Sequence, residues 1–189
     1  MAIFGVSCAA VNVTTTSRSS IEQLLLVRSL ERAIAQFDTQ PLAGKMISVE
    51  AHGLTGDQGF AKEYITAKLQ ENKVSVVADP AKADLRLKVF VSALGVDRSE
   101  RFFGIPAFQA PVVGVPFPEI ALFKSVHNRG RTEMQLFTTD KNTQEVVGES
   151  EVAVGEAAYD NYKVLLMIDF NVNDLDTPAD DNDEPNEQG

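Results

Sequence analysis

The sequence predicts an α+β fold: an N-terminal amphipathic helix, one βαβ unit, and then an antiparallel meander that forms a mixed sheet with helices on one face. Apolar residues recur at three- and four-residue spacing over 21–37, which is the period of a helix. A strand, a helix and a second strand follow over 45–77. Beyond Pro80, apolar and polar residues alternate in several segments, as they do in half-buried strands. A chain of 189 residues with this pattern is expected to form one domain.

The first helix is predicted to start at Ser19. Ser19 and Glu22 match a capping box, in which the two side chains accept hydrogen bonds from backbone N–H groups that the first turn leaves without partners. The apolar stripe that follows consists of Ile21, Leu24, Val27, Leu30, Ile34 and Phe37. Leu25 and Leu26 make this stripe wider than one sheet face needs, so we expect both side chains to contact a partner. Pro41 ends the helical segment.

The βαβ unit is predicted over 45–77. Its strands are 45–50 and 74–77, and its helix runs over 58–72 with Asp57 as N-cap. A crossover between two parallel strands is almost always right-handed, and we expect that hand here.

The meander is predicted to contain five segments of strand. They are 85–92, 118–126, 132–138, 145–155 and 163–172. Gly130 is placed in a hairpin turn over 128–130, where glycine can adopt a positive φ. The last segment is apolar at both parities, which predicts a strand that is covered on both faces.

An apolar loop is predicted over 102–118. These 17 residues contain no charge and include four prolines, which exclude a regular helix and a central strand. The loop could cover an open face of its own sheet, form a subunit interface, or contact a membrane. As contact residues we single out Phe102, Phe103, Ile105, Phe108, Val112, Val113 and Phe117.

Cys8 is the one cysteine of the chain, and its surroundings are typical of a bacterial lipoprotein. An apolar stub precedes it, and a polar tether with three threonines and three serines follows over 12–20. We therefore expect Cys8 to carry lipid after signal-peptide cleavage, with the protein held in the periplasm on the outer membrane. A secretory signal has about 15–30 residues, so this interpretation needs more leader upstream of Met1. Without such a leader, the protein would be cytoplasmic and Cys8 a small apolar side chain.

The chain is predicted to consist of three parts. Residues 1–18 are a signal remnant and tether, 19–173 form the single α+β domain, and 174–189 form a disordered acidic tail. The tail carries −7 of the net charge of −10, so the body is close to neutral. A body without a basic patch is not expected to bind nucleic acid.

No motif in the sequence predicts an enzyme, a cofactor or a metal site. One cysteine excludes a cysteine-based zinc site and an internal disulfide, and neither histidine has carboxylate or histidine partners at metal-binding spacing. The segment 52–58 follows the first strand of the βαβ unit and precedes a helix, so its loop could bind an anion or another small ligand. The candidate ligand-binding residues are His52, Thr55 and Asp57.

The order of these elements, from lipid-type cysteine and tether to meander, resembles that of small periplasmic lipoproteins with a CsgG-like or Lpp20-like α+β domain. Four segments are also similar to an uncharacterised family of Gram-negative outer-membrane lipoproteins. They are Ser-Ser-Ile-Glu-Gln-Leu-Leu over 19–25, Pro-Leu-Ala-Gly-Lys over 41–45, Ala-Leu-Gly over 93–95, and the block from Gly-Ile-Pro to Pro-Glu-Ile-Ala-Leu-Phe-Lys over 104–124. The resemblance implies a periplasmic location and a lipid anchor, and it supplies no catalytic residue.

Together these observations predict a non-enzymatic periplasmic lipoprotein. We expect an accessory or structural subunit of an envelope assembly, with the membrane contacted through Cys8 and a protein partner or a second copy contacted through the apolar loop. The alternative is a small-molecule-binding module or weak hydrolase that uses the 52–58 loop.

Overall fold

A computed structural model describes residues 17–109 and 116–175. The fold is mixed α+β, as predicted, and strands dominate it. The helices are α1 (Ser20–Ile34) and α2 (Gln58–Glu71), with two 3-10 turns at Gln40–Leu42 and Pro80–Lys82. The strands are β1 (Met46–Gly53), β2 (Ser75–Val76), β3 (Leu85–Ile105), β4 (Phe108–Gln109), β5 (Pro116–Phe117), β6 (Ile120–Asp140), β7 (Val146–Glu149), β8 (Ala153–Val164) and β9 (Ile168–Asn173).

Seven of these strands form one mixed sheet. Its order is β2-β1-β3-β6-β8-β9, and β7 pairs with one end of β6. β1 runs parallel to both β2 and β3, so the βαβ unit is present, and every other pair in the sheet is antiparallel. Side chains from α1, α2 and the sheet meet in one main apolar core. We call the face of the sheet that packs on the helices the inner face, and the opposite one the outer face.

Helix α1 starts as predicted but turns a different side to the sheet. Ser19 is its N-cap, and the Ser19 side chain accepts a hydrogen bond from the backbone N–H of Glu22 at 3.2 Å. Leu24, a member of the predicted stripe, is half exposed, whereas Leu25, Ser29 and Ala33 are fully buried. Because these three residues recur every four positions, the face that meets the sheet combines one leucine with two small side chains.

Two glycines in the strands explain this orientation of α1. A Cβ atom on Gly130 of β6 would lie 2.5 Å from the carbonyl oxygen of Leu25, and one on Gly155 of β8 would lie 1.9 Å from that of Ser29. Only glycine allows the helix backbone to approach the strands this closely. The predicted hairpin turn at 128–130 is therefore wrong, since Gly130 lies within a continuous strand and leaves room for α1.

Strands β3 and β6 are much longer than the sequence predicts, at 21 residues each. They pair from Leu85 and Asp140 to Ile105 and Ile120. The residues 102–105 are thus strand rather than loop, because the first proline of the apolar segment comes only at 106. A register shift lies beside Gly104, where a Cβ atom would be 2.1 Å from the carbonyl oxygen of Ile120.

The last part of the meander also differs from the prediction. The segment predicted as one strand over 145–155 contains β7 and the start of β8, and the segment 163–172 contains the end of β8, a turn and β9. β9 is exposed rather than covered on both faces, because it is an edge strand that neither α1 nor α2 covers.

The folded domain extends beyond its predicted end at 173. The side chain of Leu175 is buried against Leu25 and Ala157, and Asp174 accepts a hydrogen bond from the guanidinium of Arg32 at 2.7 Å. At the other end, Arg18 forms an ion pair with Asp57 at 2.7 Å, so it too belongs to the domain. The predictions for the tether and for the tail beyond 175 concern residues outside the described ranges.

Candidate functional site

Four strands extend beyond the helices as an arm, which we define as residues 98–105, 120–128 and 159–173. The N-terminus of α1 lies beside Val96, Arg98 and Asn128, where a shallow cavity separates helix from sheet. From this position, the arm runs in one direction, and both α-helices of the described chain lie in the other direction, against the body of the sheet. At about 3.3 Å per residue, β3 continues for about 23 Å from Arg98 to Ile105.

The outer face of the arm is apolar at its tip, and polar side chains enter its rows toward the base. Residues that lie opposite each other in neighbouring strands project on the same face, so the register gives the composition of each row. The row nearest the tip consists of Phe103, Phe123, Val164 and Ile168, and the next one of Arg101, Ser125, Tyr162 and Phe170. Phe103 is 68% exposed and Phe170 is 48% exposed, and the ring of Phe170 stacks on that of Tyr162 with 5.0 Å between centroids.

The inner face of the arm is charged. Lys124 forms ion pairs with Glu100 at 3.0 Å and with Glu119 at 3.2 Å, and it lies 5.9 Å from the ring centroid of Phe102. These contacts lower the pKa of the Glu100 carboxyl, chiefly through the hydrogen bond from Lys124. The arm is therefore amphipathic, with water-facing ion pairs on one side and exposed apolar side chains on the other.

The turn between β8 and β9 presents three apolar side chains to solvent. Leu165, Leu166 and Met167 are all exposed, and Met167 reaches 86%. Leu165 has a φ of 50° and Leu166 a φ of 68°, in the left-handed region that disfavours residues with a Cβ. Backbone strain of this kind often occurs at sites of function, and here it displays apolar residues.

A short second hairpin caps the arm. β4 and β5 pair antiparallel, and the rings of Phe108 and Phe117 stack with 5.0 Å between centroids and an interplanar angle of 3°. Both rings remain about half exposed, so the stacking leaves a flat aromatic surface at the tip.

The structure divides the predicted contact residues into three groups. Leu25 and Leu26 are buried within the chain, so the prediction that they contact a partner is wrong: their side chains pack beneath α1. Phe103 and Ile105 lie exposed on the arm, with Phe102 half-buried on its inner face, and Phe108 and Phe117 lie exposed on β4 and β5 at its tip. Val112 and Val113 lie outside the described residues, as does Cys8.

The 52–58 loop does not gather its three predicted ligand-binding residues. His52 projects from the outer face, where its ring lies tilted against that of Phe90 with 5.4 Å between centroids. Asp57 forms an ion pair with Arg18 before α1, and Thr55 lies 3.3 Å from the Asp57 carboxylate. The His52 ring and the Asp57 carboxylate thus serve different neighbours, and no shared ligand position is formed by them.

Sequence reasoning missed one polar cluster on the outer face. Asp160 of β8 receives a bidentate ion pair from Arg129 and lies 3.2 Å from Nδ1 of His127, both on β6. The hydrogen bond from Arg129 keeps the pKa of the Asp160 carboxyl below its usual range. These residues meet across strands, so no local spacing could reveal them. The guanidinium already neutralises Asp160, and the cluster holds β6 to β8 at the base of the arm.

Metal-ligand clusters and membrane-spanning helices are both absent from the described ranges. No group of three or more His, Cys, Asp and Glu side chains there could hold a metal ion. Neither helix in residues 17–109 and 116–175 is long and apolar enough to cross a membrane.

Comparisons with known proteins give a family but no activity. A model described as "Family of unknown function (DUF6655)" matches residues 4–175. No curated protein matches the chain in sequence. Among solved structures, the chain is similar to one described as a neuraminyllactose-binding hemagglutinin homolog from Helicobacter pylori, with 10% identity and a TM-score of 0.30 over 63% of this chain and 70% of that chain. A likeness at that level carries no argument about function.

Proposed function

Because the chain belongs to this family of unknown function, DUF6655, its role must be sought in its own surfaces, and we propose that it is a non-enzymatic lipoprotein of the periplasm. It is held to the outer membrane by lipid on Cys8 and acts as an accessory or structural subunit of an envelope assembly. Its folded part is of the CsgG-like or Lpp20-like α+β type, which the order of helix, βαβ unit and meander supports. The arm is the surface that contacts protein.

The observation that carries this proposal is the apolar outer face of the arm. Large apolar side chains on this face and on its turns are exposed together, among them Phe103, Ile168 and Phe170. Contiguous apolar patches on soluble domains mark sites of interaction, and aromatic side chains near the centre of an interface usually carry most of its binding energy.

The body of the sheet provides a contrast that favours a specific role for the arm. Next to the arm, its outer face is charged, with Arg131 in ion pairs with Glu133 and with Glu156 at 2.7 Å. The same strands β6 and β8 therefore change from charged to apolar on one face between the base of the arm and its tip. A sheet that needed only to be soluble would keep polar residues on that face throughout.

The entry of the chain into the domain fits an anchor at Cys8. Ser19 and Glu22 lie at the level where the arm begins, beside Arg98 and Asn128. The nine steps along the chain from Cys8 to Ser17 span at most about 30 Å. A lipid on Cys8 would thus hold the base of the arm close to the membrane surface, where envelope assemblies are built.

Two measurements on cells test the proposal. Labelling with an alkyne fatty acid should mark the natural, full-length protein and not its Cys8→Ser variant; equal labelling of both would remove the anchor from the proposal. Detergent extracts separated by native electrophoresis should show the protein in an assembly that Phe103→Asp disrupts.

Phe60→Asp is the matched control for Phe103→Asp. Phe60 is an exposed phenylalanine on α2, outside the arm. The Phe60 variant should keep the assembly intact. If both variants, or neither, lose the assembly, the arm is not the contact surface.

A further inference from the structure

Strand β9 is an open edge of the sheet. In the described chain it pairs with β8 on one side only, and the residues from Ile168 to Val172 are exposed. An open edge presents unpaired N–H and C=O groups that can pair with another strand, and proteins usually block it with lysine, proline or a bulge. β9 contains neither lysine nor proline, and its register with β8 is regular. Its one charge, Asp169, lies 3.6 Å from Lys163.

The side chains of β9 alternate cleanly between its two faces. Ile168, Phe170 and Val172 lie on the apolar outer face of the arm. The intervening positions on the inner face carry Asp169, Asn171 and Asn173. A strand with this pattern can extend the sheet only with a partner that is also apolar on the outer face and polar on the inner one.

We propose that the partner of this edge is β9 of a second copy of the chain, paired antiparallel with Phe170 opposite Phe170 of the second copy. The inference rests on the proposed function, because it names a second copy as a protein that the arm contacts. In this register Ile168 lies opposite Val172 of the second copy and Asp169 lies opposite Asn171 of the second copy. Each strand therefore supplies the apolar and polar side chains that the other requires.

Charge selects this register from its neighbours. If the pairing is centred on position 169 instead of 170, Asp169 lies opposite Asp169 of the second copy, and like charges directly opposite are unfavourable. If the pairing is centred on position 171, Ile168 lies opposite Asp174 of the second copy. The Asp174 carboxylate is already in an ion pair with Arg32 of its own chain at 2.7 Å. Only the register centred on Phe170 opposes no like charges and leaves the Asp174 contact intact.

The pairing also makes the apolar surface of the arm continuous across two molecules. Tyr162 already stacks on Phe170. With two copies paired, the Phe170 rings become neighbours, and the row reads from Tyr162 of one copy to Tyr162 of the other. The exposed aromatic rings gain partners of their own kind, and aromatic pairs contribute more than their buried area alone.

The first test measures by light scattering the mass of the purified Cys8→Ser protein. This variant cannot carry the proposed lipid, so a membrane anchor does not affect the result. We expect twice the 20.6 kDa of one chain. Phe170→Asp sets two carboxylates opposite each other and should halve the mass. Leu54→Asp, at an exposed leucine outside the arm, should keep the wild-type mass. A wild-type mass of one chain overturns the inference.

The second test fixes the register and does not depend on a disruptive substitution. Opposite residues in an antiparallel pair have Cα atoms about 4.5–5.5 Å apart, which suits a disulfide. In the Cys8→Ser background, Phe170→Cys should form a linked dimer under mild oxidation, whereas Phe60→Cys should not. If the two variants link equally slowly, β9 is not the paired edge, even if the protein is dimeric.

The outcomes separate this inference from the proposed function. A monomeric Cys8→Ser protein whose arm still holds the envelope assembly in cells leaves the proposed function standing without self-pairing. Conversely, if Phe170→Cys forms the linked dimer while Phe103→Asp leaves the envelope assembly in cells unchanged, that result would support the pairing of β9 and contradict the proposed function.

Discussion

Gly155 on strand β8 lies directly beneath Ser29 on helix α1, so close that a Cβ atom on the glycine would be 1.9 Å from the Ser29 carbonyl oxygen. The same Cβ would be 2.6 Å from the backbone nitrogen of Ala33. Both neighbours are backbone atoms of one helix, so they cannot move aside separately.

Gly155→Ala should therefore be strongly destabilising. The added methyl must displace α1 as a whole, which we expect to lower the free energy of unfolding by about 2–3 kcal/mol. Gly59→Ala is the control: Gly59 lies within α2, and no atom lies within 4 Å of its would-be Cβ. That variant should be stabilised by about 0.5–1 kcal/mol. Urea unfolding of both variants checks the pair, and equal changes would show that α1 does not pack as described.

A buried hydrogen bond between Ser29 and Thr132 should show strong coupling. The two side-chain oxygens are 2.7 Å apart, both residues are fully buried, and the Ser29 hydroxyl is also 3.0 Å from the carbonyl oxygen of Leu26. Ser29→Ala leaves the Thr132 hydroxyl without this partner, at a cost of about 1–3 kcal/mol. Adding Thr132→Val removes the hydroxyl that has lost its partner. The double variant should therefore lose less free energy of unfolding than the two single variants lose together. A double-mutant cycle by chemical denaturation measures this, and strict additivity would contradict the hydrogen bond.

Asp160 should make stability depend on pH in the acid range. Its pKa is lowered in the folded protein, first by the hydrogen bond from Arg129, with burial opposing the shift. A carboxyl with a lowered folded pKa stabilises the fold above its unfolded pKa of about 3.9, and this contribution is lost as the pH falls through the folded value. Asp160→Asn should cost about 1 kcal/mol near neutral pH and nothing in strong acid.

Urea unfolding between about pH 6 and about pH 2 checks this dependence. Glu63→Gln serves as control, because Glu63 is exposed on α2 and takes part in none of the ion pairs found in the described structure. The gap between wild type and Asp160→Asn should close on acidification. A gap that stays constant would show that the ion pair with Arg129 does not stabilise the fold.

Replacing Leu166, in the turn between β8 and β9, with a residue that tolerates a positive φ should stabilise the fold. Leu166 has a φ of 68°, which costs an ordinary residue about 1–2 kcal/mol and asparagine less. Leu166→Asn should raise the free energy of unfolding by about 0.5–1 kcal/mol while weakening any contact made by the arm. Leu54→Asn, at an exposed leucine outside this turn, should change stability little. Thermal unfolding compares the two, and a loss of stability in Leu166→Asn would argue against strain.

The sequence predicted the helices well because their signals are local. The capping box at Ser19 and the helical spacing that follows need only neighbouring residues. The side of α1 that meets the sheet depends instead on Gly130 and Gly155, which lie about a hundred residues further along the chain. Glycines inside strand patterns indicate such close approaches, but the residues around Gly130 also match the pattern of a hairpin turn.

The long strands of the arm were harder to predict. Charged residues such as Arg98 and Arg129 interrupt the apolar alternation, and in the structure Arg129 lies on the outer face, away from both helices. Their ion pairs form across strands, as between Arg129 and Asp160, so they appear only when the register is known. The uncharged, proline-rich run sets 102–118 apart in the sequence, whereas its division into strand ends and the β4–β5 pair depends on the pairing of Ile105 with Ile120.

The most direct test of the arm as a protein-contact surface is photocrosslinking in intact cells. A photoreactive phenylalanine analogue would replace Phe103 on the arm in one protein and Phe60 on α2 in another, both side chains being more than half exposed. We expect a discrete crosslinked protein species from position 103 and none from position 60. Absence of a crosslink at 103, or the same products from both positions, would contradict a role for the arm in protein contacts.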